Sequence, residues 1–193
     1  MTAFEFVLLL FSVVPGQRIE GRTKLQKVAY FFGSHLGVEG ILGYRPHYYG
    51  PYSSEVADAV SMLASLGFLG ETVSPGTLDA KGFERRKYVY ELTTEGKEAV
   101  AVISKHVDPD FVSRFQNAVE KLTAVTDADY LPLSYAAKVL WVTRGRPDPT
   151  PDQVHESAKS KGWELNEVQI LEAFDFLKGL SSQGFNAVVS VHA

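Results

Sequence analysis

The chain has 193 residues, 45% hydrophobic and 22% charged, which suits one large globular domain or two small ones with an ordinary core. It has no cysteine, which excludes disulfides and thiolate metal sites and is compatible with a cytoplasmic location. The formal net charge of −4 falls on one half: residues 1–106 hold 11 basic and 11 acidic side chains, residues 107–193 hold 8 and 12, so any DNA contact must come from a local patch.

The first segment, "FEFVLLLFSVV" at 4–14, is apolar but short, lacks a basic flank and carries Glu5. That argues against a signal peptide or a membrane span, and it reads as a buried helix over about 3–14 that breaks at Pro15-Gly16. A second helix follows over about 22–36, begun by Arg22 or Thr23. Leu25, Val28, Ala29, Phe32 and Leu36 form its core stripe, and Gly37 is placed to end it. Lys24 and Lys27 fall on its other face. "GYRPHYY" at 43–49 has the aromatic, β-favouring character of a short strand, and Gly50-Pro51 reads as the turn that follows. Ser53 or Ser54 can then cap a third helix to about 66, with Glu55 in its first turn, Val56, Val60, Leu63 and Leu66 inward, and Gly67 at its end. Two β-like segments, near 69–73 and 86–92, flank a polar loop and predict a hairpin. Thr93 or Thr94 then caps another helix.

The C-terminal half reads as mostly helical. An amphipathic stretch over 110–125 carries Phe111, Val112, Phe115, Val119 and Leu122, and "LPLSYAAKVLWVT" at 131–143 is a strongly apolar helix. Pro151 after Thr150 marks the start of a helix over 150–161. A further helix over 166–180 carries Val168, Leu171, Phe174, Leu177 and Leu180, and 186–192 has the character of a terminal strand. The helices 131–143, 150–161 and 166–180 can form a trihelical unit. The expected fold is mainly α with a small β-hairpin (α+β): a winged helix-turn-helix domain at 1–106 and a helical domain at 107–193.

"GRTKLQKVAYFF", "HYYGPYSSEV", "LASLGFL" and "YELTTEGKE" together resemble the YwgA-like proteins and share the layout of the Panacea domain of SocA-like antitoxins. The resemblance covers about 22–96, and the tail "EVQILEAFDFLKGL" is similar to the way such proteins end. It implies a winged-helix fold and no catalytic activity.

Two non-enzymatic functions follow as expectations. The first is a DNA-binding transcriptional regulator that contacts phosphates through Arg18, Arg22, Lys24 and Lys27 and through Lys81, Arg85, Arg86 and Lys87 of the hairpin. The bland reading of these cations is that they solvate their surfaces. Against base reading, the third helix offers Ser54, Glu55, Asp58, Ser61 and Ser65, and none of the Arg, Lys, Asn or Gln that read base edges. The second function is a module that binds a partner protein, favoured by that acidic helix and the acidic C-terminal half. Expected partners are therefore double-stranded DNA or a protein, with a homodimer open. The corner Tyr48, Tyr49, Gly50, Pro51 and Tyr52 is either a packed hinge or a partner-binding surface, and the packed reading expects at least two of the tyrosines to be packing residues.

An enzyme is not expected. The five histidines are scattered without metal-ligand spacing, and there is no nucleophile elbow or phosphate-binding glycine loop. No cofactor or metal is called for.

Overall fold

The computed structural model describes residues 1–75, 86–146 and 148–185. Lys81 and Arg85, and the strand expected over 186–192, lie outside them.

Helix α1 spans Ala3–Val13 and opens with a capping box, in which Thr2 and Glu5 bond each other's backbone amides. Every residue from Phe6 to Phe11 is buried, so this helix is enclosed on all sides. A short 3-10 turn at Pro15–Gln17 leads into strand β1, Arg18–Glu20, which the sequence did not foretell. Helix α2, Arg22–Leu36, has the expected bounds, and Gly37 closes it in the left-handed conformation at φ +72°. A single turn, α3 at Glu39–Leu42, comes next.

The corner differs from expectation. Strands β2 (Arg45–His47) and β3 (Gly50–Tyr52) pair as a tight antiparallel hairpin, with His47 opposite Gly50. The turn is therefore Tyr48-Tyr49, and Gly50-Pro51 belongs to the returning strand. Neither tyrosine has a positive φ, whereas Gly50 takes φ +102° at the fourth turn position, where glycine is favoured.

Helix α4, Ser54–Ser65, is capped by Ser53, whose Oγ accepts the Val56 amide at 2.8 Å. Val56, Val60 and Leu63 are buried as expected, but Leu66 is 56% exposed, since it forms the C-cap beyond the last inward turn. Strands β4 (Leu69–Ser74) and β5 (Lys87–Leu92) form the expected hairpin, and β1 adds to its far side to give the sheet order β1-β5-β4, all antiparallel.

Helix α5, Thr94–Ile103, is capped by Thr93. The single amphipathic helix expected over 110–125 is instead α6, Pro109–Lys121, and α7, Thr123–Asp127, separated at Leu122. Helices α8 (Tyr130–Thr143), α9 (Pro151–Lys159) and α10 (Glu167–Ser182) pack on one another as expected. Capping boxes at Thr150/Gln153 and Asn166/Gln169 start the last two. On α10 the buried residues are Ile170, Ala173, Leu177 and Leu180, while Val168 and Leu171 face solvent.

The chain is thus mostly helical with a small antiparallel sheet. Its core is continuous across residue 106: α6 packs on α1 and α2, and α8 packs on α2 and β3. Among the described residues, no helix is long and apolar enough to cross a membrane.

Candidate functional site

The corner is fastened from three directions. From α2, the Gln26 side-chain amide makes a two-bond bridge to the Ser53 backbone: Nε2 donates to the Ser53 carbonyl and Oε1 accepts the Ser53 amide, both at 2.9 Å. Next to it, Lys27 Nζ donates to the Pro51 carbonyl at 2.7 Å. From α8, Lys138 and the Ser134 carbonyl close on Gly50. A Cβ at Gly50 would lie 3.2 Å from Lys138 Cγ, 3.4 Å from Lys27 Cε and 3.5 Å from the Ser134 oxygen. From the segment before α10, buried Trp163 donates Nε1 to the His47 carbonyl at 2.6 Å.

This placement corrects the sequence reading of Lys27. Expected on a solvent face and in reach of phosphate, it is 2% exposed, because β3 and α8 cover the side of α2 opposite the apolar stripe. Burial, and then the neighbouring Lys138 charge, lower its pKa to about 7. Burial lowers Lys138 as well. Gln26, Lys138 and Trp163 were not foreseen at this site. The one available signal was Lys138, a single cation inside an apolar helix.

The tyrosines do not pack the corner, as the packed reading expected. Tyr48 is 74% exposed, Tyr49 49% and Tyr52 36%; the rings of Tyr48 and Tyr49 meet edge to face and that of Tyr52 lies 5.0 Å from His47. The turn is held from behind by Gln26, Lys27 and Trp163, so the rings are left at the surface.

Among the described residues, acids interrupt the remaining cations. Glu20 lies between Arg18 and Lys87, pairing with them at 2.8 and 2.7 Å, and the Lys87 bond holds its carboxyl below the usual range. Arg22 stacks on Tyr88 at 3.7 Å from the ring centre, donates Nε to the Tyr90 hydroxyl at 3.1 Å, and has Glu71 3.9 Å away. Lys24 and Arg86 have no ion pair among the described residues.

The outer face of α4 carries Ser54, Glu55, Asp58, Ser61 and Ser65, as expected, together with exposed Met62. Glu55 is held ionised below the usual carboxylate range by its own backbone amide and then by the Ser54 hydroxyl. Between α2, the β2–β3 hairpin, α4 and β5 lies an open cavity of about 250 Å3, whose lining includes Arg22, Tyr90, His47, Tyr49 and Tyr52. It joins the corner to α4. Among the described residues, no group of three or more His, Asp or Glu side chains is placed to hold a metal ion.

No protein-family model matches the chain, and no curated protein matches it. The resemblance to YwgA-like and Panacea proteins therefore rests on the motifs within 22–96 and on the tail at 167–180.

Proposed function

We propose that this chain is a non-enzymatic winged-helix module that recognises a partner protein through its tyrosine corner and the outer face of α4. The order α1, β1, α2, α4 and the β4–β5 hairpin, with α3 and the β2–β3 hairpin inserted between α2 and α4 and with β1 added antiparallel to β5, is what supports the winged-helix reading. α4 then occupies the place of a recognition helix.

The observation that carries the proposal is the chemistry of that helix and its neighbours. Its exposed side chains are serines, two carboxylates and Met62, which suit a protein surface and repel phosphate. Beside it stand three exposed tyrosines, a residue type enriched in the core of protein interfaces. The cations once assigned to DNA are drawn away from that role: Arg18 and Lys87 pair with Glu20, Arg22 is engaged with Tyr88 and Tyr90, and Lys27 is buried. DNA binding through Lys24, Arg86 and the hairpin residues outside the described set is the second reading.

Photo-crosslinking separates the two. A crosslinking residue in place of Tyr49 or Met62 should give a discrete protein adduct in cells, and one at Lys105, remote on the α5–α6 turn, should give none. The adduct mass also reports a homodimer. Salt-resistant, sequence-selective duplex binding that survives replacement of Arg85, Arg86 and Lys87, but is lost on replacing Ser54 and Ser61, would show that α4 reads DNA and would overturn the proposal.

A further inference from the structure

We infer that the cavity between α2, the β2–β3 hairpin, α4 and β5 is a binding site for a small aromatic carboxylate. The first ground is charge. Its lining includes Arg22, Lys27 and His47 and contains no aspartate or glutamate. Glu71 approaches Arg22 at 3.9 Å but is not part of the wall. An anion entering here meets the Arg22 guanidinium and the Lys27 amine, and competes with Glu71 for Arg22.

The second ground is that the principal cation is already positioned. Stacking on Tyr88 and the Nε bond to the Tyr90 hydroxyl fix the plane of the Arg22 guanidinium. Its terminal nitrogens form no hydrogen bond among the described residues, so they can receive a carboxylate in the paired geometry that arginine favours, with little further ordering. Lys27, also in the lining, spends one of its three donors on Pro51 and has no counter-ion within the described residues. A bound anion would supply one and repay part of the cost of burying an amine.

Shape and wall chemistry select the body of the ligand. The rings of His47 and Tyr52, 5.0 Å apart, and that of Tyr49 contribute to the lining, and Leu25, Ala57 and Val60 add apolar surface. A flat ring can contact the aromatic faces with its carboxylate toward Arg22. The volume of about 250 Å3 is below the roughly 300–1,000 Å3 typical of sites for drug-sized molecules, which points to a single-ring acid. The inference needs only the purified chain, so it stands or falls apart from the partner-protein reading.

The test is titration of the chain with 4-hydroxybenzoate, its neutral amide and acetate, followed by calorimetry and by amide chemical shifts. The acid should bind with Kd on the order of 1 mM or tighter, and the amide and acetate about tenfold more weakly or worse. Shifts should centre on residues 47–52 and 57–61. Arg22→Gln should weaken the acid about tenfold or more. Ser61→Phe, an exposed position whose larger ring fills the cavity from α4, should abolish binding while melting near the wild type. Equal affinity for acid and amide, no shifts up to about 10 mM acid, or unchanged binding in Ser61→Phe would each overturn the inference.

Discussion

Replacing Lys27 by methionine tests whether the chain holds an amine at a site that disfavours its charge. Folding lowers the Lys27 pKa from 10.5 to about 7. At about 1.4 kcal/mol per unit, the folded state below neutral pH carries a cost on the order of 5 kcal/mol for keeping the buried ammonium charged. Methionine removes that cost and fills a similar volume, but it leaves the Pro51 carbonyl without its donor. β3 cannot make up the loss, since the residue opposite Pro51 is Pro46, which has no amide hydrogen. An unpaired buried carbonyl costs about 1–3 kcal/mol. Near pH 6 the variant should therefore be more stable than the wild type by roughly 2–4 kcal/mol.

The sign reverses in alkali. Between about pH 7 and 10.5 the unfolded chain still binds the proton that the folded chain has released, so wild-type stability gains up to about 1.4 kcal/mol per unit from this group as pH rises. The variant lacks that gain. By about pH 9.5 the wild type should equal or exceed it, because the neutral amine keeps its bond to Pro51. Urea unfolding of both chains across this range measures the difference, which includes the relief of Lys138 from its charged neighbour. If Lys27→Met is destabilising by the same amount at every pH, then Lys27 keeps an ordinary pKa and a compensated charge, and the reasoning fails.

Gly50→Ala should lower stability by about 1–3 kcal/mol in urea melts, since φ is +102° and the new Cβ lies 3.2 Å from Lys138 Cγ; unchanged stability would mean the β2–β3 corner yields freely. Gly96→Ala should be worse, because its Cβ would fall 2.2 Å from the Phe68 carbonyl oxygen, while Gly179→Ala, with open space around it inside α10, should be neutral or stabilise by about 0.5–1 kcal/mol; calorimetric melting of the pair checks both. Trp163→Phe should cost about 1–2 kcal/mol by the same measurement, chiefly for the lost bond to the His47 carbonyl. Tyr48→Ala should leave the melt within about 0.5 kcal/mol of wild type, because the ring is 74% exposed, while weakening the crosslinked partner adduct.

What the sequence disclosed were the features decided locally. The bounds of α2 followed from its stripe and from Gly37. Residue type narrowed the caps to Ser53 or Ser54, Thr93 or Thr94, and Thr150, because a hydroxyl able to accept a free amide is a local solution; the structure uses Ser53, Thr93 and Thr150. The hairpin β4–β5 followed from two β-favouring runs around a polar loop. β1 escaped notice because three residues carry no periodicity. What makes them a strand is the pairing of Ile19 with Tyr90, about 70 residues away. The turn at Tyr48-Tyr49 was masked by Gly50-Pro51, whose glycine serves the position after the turn.

The misreading of Lys27 has a cause that reaches the site itself. A stripe on one face of α2 was taken to leave the other face wet, yet every residue from Leu25 to Ser34 is buried. The unbroken run "VAYFF" at 28–32 already fits a helix covered all round better than a helix with one wet side. What covers the second side is β3 and α8, the latter about 100 residues downstream, and a single sequence does not say which segment will arrive. Once it does, Lys27 and Lys138 meet across Gly50, and the corner is clamped between α2 and α8 with Trp163 holding its tip. The exposed tyrosines are therefore mounted on a backbone whose other groups are occupied, and rings held this way lose little freedom when a partner covers them. A hinge that flexed would need the same tyrosines inside as packing. That they are outside, on a turn fixed from behind, is the physical reason to assign them to recognition.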